Sequence, residues 1–127
     1  MIKILKTLSG LLTACFARLG LAPDKIEHHK AGIVAAIFGA VLGAVLVALA
    51  AYFLQVALLP IVVLCASACA VVAATVAGVS KEAADRLDNR LQPGMHEVSW
   101  QDAAATATGS AWIVMLIGLL HWLLLRH

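Results

Sequence analysis

Seven residues of this chain could do chemistry together: Asp24, Glu27, His28 and His29 at the start of one apolar stretch, Glu82 and Asp85 at the end of a second, and Asp102 at the start of a third. Ionisable groups bordering hydrocarbon are costly unless they pair, bind an ion or line a wet cavity. Several carboxylates and one imidazole on helix ends suit a divalent cation, with carboxylate and water favouring magnesium or manganese and histidine admitting zinc. The expected ligands are Asp24, His28, Glu82, Asp85 and Asp102, and an ion there would clamp and polarise a phosphate. Lys25, Lys81 and Arg86 are the expected contacts to a phosphate or lipid headgroup. The same charges can also neutralise one another, Lys81 with Asp85 and Glu82 with Arg86, each four apart on a helix. The polar cluster thus has three readings that stay open at this stage: a register-fixing network, a lipid or ion site, and a catalytic centre with no catalytic residue yet assigned.

The elements that must position these groups follow from composition. The chain has 127 residues, 63% hydrophobic and 13% charged, with a mean hydropathy of +0.99, whereas soluble domains average about 45–50% apolar and 25% charged. It reads as an all-α integral membrane protein, long enough for a few spans of about 20 apolar residues each. A net charge of +2 without a clustered basic face excludes nucleic acid as a partner. Cys15, Cys65 and Cys69 form neither a disulfide framework nor a zinc pattern and read as small packing residues.

Two domains are expected, an amphipathic helix over 1–22 and a three-helix membrane domain over 23–127. In the first, Lys3, Lys6, Thr7, Gly10, Thr13 and Arg18 cluster on one face, as in a helix lying in the headgroup plane. Leu12-Thr13-Ala14-Cys15 also resembles a lipoprotein processing site behind a basic segment, but the apolar run before it is short and Met1 is retained, which favours the interfacial helix. Leu21-Ala22-Pro23-Asp24 breaks that helix and starts the next. The first span covers about Ala31 to Phe53, with Tyr52 and Phe53 at the far interface. A tight hairpin over Leu54 to Leu59 leads through Pro60 into a second span, about Ile61 to Ser80, which continues as helix to about Leu91 because no breaker appears before Pro93-Gly94. After a loop over Gln92 to Ser99, Trp100 marks the interface and the third span runs from about Asp102 to Leu125.

Eight Lys and Arg residues lie in the N-terminal segment and the loop after span two, against Arg126 alone at the other side. The positive-inside rule places the N-terminus and residues 81–101 in the cytoplasm and the C-terminus outside. On helical spacing, Asp24, His28, Gly32, Ala36, Gly39 and Gly43 form one stripe, Thr75, Gly78, Glu82, Asp85 and Asn89 a second, and Asp102, Thr106, Gly109 and Ser110 a third. Gly32, Gly39, Gly43, Gly78 and Gly109 are the expected helix-packing positions. His29 and Lys30 read as interfacial or snorkelling, His96 and Glu97 as loop residues near the cluster, His121 as part of an outer aromatic belt with Trp122, and Trp112 as facing lipid or a neighbouring subunit.

Asp24-Lys25-x-x-His28-x-x-x-Gly32, Gly78-x-x-Lys81-Glu82-x-x-Asp85 and Ser99-Trp100-x-Asp102-x-x-Ala105-Thr106-x-x-Gly109 occur in that order. The triple resembles small inner-membrane proteins of bacteria and their prophages, distantly similar to the VanZ-like group. His29 stands where those proteins carry an aromatic and Ser80 where they carry a glycine. A second resemblance is to prokaryotic diacylglycerol kinase, through Glu82-Ala83-Ala84-Asp85-Arg86, His96-Glu97 and Gly109-Ser110-Ala111. Thr75 and Gly78 stand where that kinase has its glutamate and asparagine, so the likeness implies a similar trimeric packing more than phosphoryl transfer. Together these readings lead to a multi-pass protein of the bacterial inner membrane, N-terminus in and C-terminus out, forming a homo-oligomer. Its inner-face cluster is expected to bind a divalent metal or lipid headgroup, and a phospholipid or lipid-linked phosphate is the expected substrate of any reaction there. The alternatives are a holin-like or lysis-associated assembly without catalysis and a diacylglycerol-kinase-like phosphotransferase.

Overall fold

In a computed structural model the described residues, 2–54, 59–94 and 97–126, form five helices joined by turns. The first, α1, covers Ile2–Arg18 and ends where Gly20 takes a left-handed conformation at φ 79°. The Leu21 amide donates to the Phe16 carbonyl at 3.2 Å and the Gly20 amide to that of Ala17 at 3.0 Å. This closes the helix in the double-bonded cap that requires a positive φ at that glycine. Leu21 and Phe16, the residues this cap brings together, both join the hydrophobic core.

Pro23 then opens α2, Pro23–Leu54, where its missing N–H costs nothing. Helix α3 spans Leu59–Leu91 and, as the sequence implies, runs without interruption through Lys81 and Glu82. Leu54 and Leu59 bound the expected hairpin, whose residues 55–58 lie outside those described, as does His96. The last apolar segment carries α4, Trp100–Thr108, and α5, Ser110–Leu125, and Gly109 between them is also helical at φ −55° and ψ −29°. Three stretches, Pro23–Leu54, Pro60–Leu91 and Trp100–Leu125, are long and apolar enough to cross a membrane.

The third span expected from about Asp102 starts earlier, at Trp100, and runs as one stretch to Leu125, with a shared hydrogen bond at Gly109. The physical reason lies in the packing. A side chain at Gly109 would stand 2.6 Å from the His29 carbonyl oxygen and 2.9 Å from the Ile33 nitrogen, so the helix passes α2 at backbone distance. The Gly109 amide divides its hydrogen bond between Ala105 at 3.3 Å and Thr106 at 3.2 Å, and the hydroxyls of Thr106, Thr108 and Ser110 each donate to a carbonyl one turn back. Such side-chain bonds compete with the helical ladder and loosen it locally.

All five glycines singled out by spacing lie at interhelical contacts. Gly39 meets the Cys69 carbonyl and Ala73, and Gly43 meets Cys65 and Cys69, which sets α2 and α3 antiparallel. Gly32 faces the Thr106 carbonyl, and a side chain at Gly78 would lie 2.7 Å from the Ala103 carbonyl oxygen. Cys65 and Cys69 are free thiols at this seam, the packing role expected of them. Helix α1 docks through Phe16, only 2% exposed, while Ile4, Leu8, Leu11 and Leu19 form an uncovered apolar stripe.

Candidate functional site

The first turn of α4 is where the three long segments exchange polar contacts. Ser99 stands in an extended conformation just before α4 and makes no side-chain cap. With Asp102 three residues on, the sequence pattern is that of a self-contained capping box, in which that acid would turn back to the Ser99 amide. Here the amide instead donates to Oε2 of Glu82 at 2.8 Å. Glu82 is fully buried, so α3 caps α4 from outside, and Asp102 is released to face α2.

The Asp102 carboxylate, 12% exposed, accepts a close hydrogen bond from the Lys25 ammonium. Its other oxygen lies 3.4 Å from Nε2 of His28. The far side of that imidazole, Nδ1, is 3.5 Å from the Thr106 hydroxyl. Thr106 has one proton to give and its oxygen is 2.9 Å from the Asp102 carbonyl, the shorter contact, so the histidine is held chiefly by the carboxylate. Lys25 also reaches Asp24 at 3.0 Å, and Asp24 is well exposed.

A second lysine-centred group sits on α3. Lys81 donates to Asp85 at 2.5 Å and lies 3.2 Å from Glu82. The Lys81–Asp85 pair is the one the spacing implied. Arg86, expected opposite Glu82, has its guanidinium 4.6 Å from the ring centroid of Trp100, because Glu82 has turned inward to the Ser99 amide. The five residues expected to share an ion thus fall into two groups: Asp24, His28 and Asp102 around Lys25 on one side, Glu82 and Asp85 around Lys81 on the other. Among the described residues no three His, Cys, Asp or Glu side chains gather closely enough to hold a metal ion. An ammonium occupies the centre of each group, where a cation would otherwise sit.

Two residues assigned to the interface are built into the structure. His29 meets Phe16 edge-on at 5.5 Å and its Nε2 is 3.4 Å from the Thr108 hydroxyl. Lys30, its side chain 16% exposed, donates to Ser9 and Thr13 of α1 at 3.2 Å each and to the exposed Glu27 at 2.6 Å. These contacts frame a cavity of about 180 Å³ between α1 and α2 with Leu8, Leu12, Ile33 and Val34 as its apolar walls. The signal that could have revealed it is the pairing of Ser9 and Thr13, four apart, with Lys30, the second lysine of α2. Trp112, expected to face outward, is 41% exposed and packs its ring 5.8 Å from Phe16.

No family model, characterised protein or solved structure matches this chain.

Proposed function

We propose that the chain is a three-span protein of a bacterial inner membrane that binds an anionic lipid headgroup at its cytoplasmic end. The observation that carries this reading is the α1–α2 cavity, where Lys30 and Ser9 stand over walls of leucine, isoleucine and valine, the Lys30 ammonium being held by the Ser9 and Thr13 hydroxyls. A cation held by hydroxyl oxygens above an apolar slot has the polarity of a phospholipid reversed in charge. The outward partner of Lys30 is Glu27, with a side chain 69% exposed, and that of Lys25 is Asp24 at 59%. A lipid phosphate exchanging with either acid would keep the lysine paired, through the strong charge-assisted type of hydrogen bond.

The wider architecture supports the same setting. The uncovered stripe on α1 suits a helix lying in the headgroup plane, and the Lys and Arg asymmetry supports a cytoplasmic location for this end. The outward faces of the long helices are apolar, with Phe38, Leu64 and Phe53 all more than 70% exposed, beyond what a water-facing monomer presents. Lipid, or further copies in a homo-oligomer, would cover them.

The test is lipid selectivity of the purified protein in nanodiscs of mixed phosphatidylglycerol and phosphatidylcholine, read by native mass spectrometry of retained lipid. Phosphatidylglycerol should be enriched, Lys30→Gln should reduce the enrichment roughly fivefold, as for the loss of about 1 kcal/mol near an anionic surface, and Glu27→Gln should increase it. Equal retention of both lipids by the wild-type chain would overturn the reading. Calorimetry of the same samples with magnesium, manganese and zinc addresses the divalent-cation alternative, in which Lys25 or Lys81 must give up its place. Binding abolished by Asp102→Asn would favour the ion over the headgroup.

A further inference from the structure

Past Lys81, α3 leaves the apolar stretch and continues as helix to Leu91, about 15 Å at the helical rise. One face of this extension belongs to the bundle, through the buried Glu82 and through Arg86 against Trp100. The opposite face is open. There Ser80, Ala84, Leu87 and Leu91, all exposed, follow one another at four, three and four residues, the spacing that keeps a single seam along two paired helices. Leu87 and Leu91 are 58% and 77% exposed. Trp100, beside Arg86, suits the headgroup level, so Leu91, five residues beyond Arg86, projects about 7.5 Å further toward water, where acyl chains do not cover it.

The charges at the edges of this seam indicate its partner. With 3.6 residues per turn, Arg90 lies about 80° to one side of the leucine line and Asp88 about 80° to the other, and both are exposed. The seam therefore carries a cation along one edge and an anion along the other. When two such helices run side by side in the same direction about a two-fold axis, the first edge of each copy meets the second edge of its partner. Arg90 of each copy then meets Asp88 of the other, and both pairs close at once. Two copies inserted the same way round carry α3 in the same direction, so the membrane itself imposes the parallel arrangement. Nearer the headgroups, Ser80 and Ala84 are small enough to let the two helices approach closely. We infer that this face is where two copies of the chain pair, through Leu87 and Leu91 with reciprocal Arg90–Asp88 ion pairs at the rim. The inference rests on the membrane-spanning and homo-oligomeric parts of the proposed function and is independent of the headgroup site.

The test is native mass spectrometry of the full-length protein in mild detergent, with monomer and dimer counted at several protein concentrations. The wild-type chain should dimerise. Leu87→Gln should raise the dissociation constant roughly a hundredfold, because each dimer loses two buried leucines. Asp88→Arg and Arg90→Asp should each raise it roughly tenfold, as for two exposed ion pairs lost together. An equimolar mixture of these two variants should form a heterodimer, recognised by its mass, with close to wild-type strength, since one copy then carries cations on both edges and the other anions on both. Misfolding of either variant cannot be repaired by the other, so this rescue reads the contact itself. A wild-type chain that stays monomeric, a dimer that Leu87→Gln leaves intact, or a mixture that pairs no better than either variant alone overturns the interface. The headgroup site is read separately, from phosphatidylglycerol retention in nanodiscs, so the two can fail independently. Release of the chain from vesicles by alkaline carbonate would remove the membrane-spanning reading, and this inference with it.

Discussion

Where α4 begins, helices approach at backbone distance, a glutamate is fully buried, and its carboxylate is spent on another helix's amide. Where α5 ends, the neighbouring helices stand apart around an apolar cavity. The difference follows from side-chain size. Gly32, Gly78 and Gly109 converge on α4 and leave no room for side chains, whereas Gly118 of α5 has nothing near its missing Cβ. Close approach concentrates polar groups within hydrogen-bonding reach, and open packing leaves room for something that is not protein. One end of the molecule is therefore locked by its own residues, and the other is more openly packed.

The contrast breaks most severely at Gly32. A methyl group there would overlap the Thr106 carbonyl, which belongs to backbone and cannot rotate away, so α2 and α4 must separate. Gly32→Ala should cost about 3 kcal/mol, the upper range for overpacking a tight contact, read as a lowered midpoint of unfolding in mixed detergent micelles. Separation also pulls Asp102 from Lys25 and His28, so retention of anionic lipid should change in the same variant.

Glu82 sharpens the comparison at the next level. Glu82→Ala leaves the part-buried Ser99 amide without its acceptor, at a cost of about 1 kcal/mol, the lower end for an unsatisfied donor. Glu82→Gln keeps an acceptor oxygen for that amide and should lose less. If the two variants unfold at the same midpoint, the buried carboxylate is not capping α4. Asp85 still pairs with Lys81 in both variants, so the difference between them isolates the cap.

Much of this scaffold is legible in the residues themselves. Pro23 opens α2, the unbroken run from Ile61 through Lys81 carries α3 to Leu91, and glycines at intervals of three and four mark each seam. What spacing along one helix cannot show is which groups meet across helices. Lys25 and Asp102 are 77 residues apart, and their pairing depends on how far each helix is rotated about its axis. Capping is likewise ambiguous, since Ser99 and Asp102 have the spacing of a local box and only the presence of Glu82 turns Asp102 elsewhere. Lys30 was legible as a cation near an interface but not as the roof of a cavity, because its hydroxyl partners belong to α1, whose docking hangs on Phe16. Gly109 reads as a packing glycine within one long span. That its amide is shared between Ala105 and Thr106, with His29 and Ile33 of α2 against it, is visible only in the folded chain.

The smallest effect is also the one that separates packing from helix propensity. Gly118 and Gly32 are both helical glycines, and an alanine favours a helix over glycine by about 0.8–1.0 kcal/mol in a monomeric peptide. At Gly118 that preference meets open space, so Gly118→Ala should raise the unfolding midpoint slightly, by up to about 1 kcal/mol. The same methyl thus acts with opposite sign at the two positions. If Gly118→Ala instead destabilises by as much as Gly32→Ala, a surface unseen in the single chain packs against α5, and a second copy of this protein becomes the natural occupant of that face. Running the measurement at several protein-to-detergent ratios distinguishes the cases, because only destabilisation through a copy-to-copy contact depends on protein concentration.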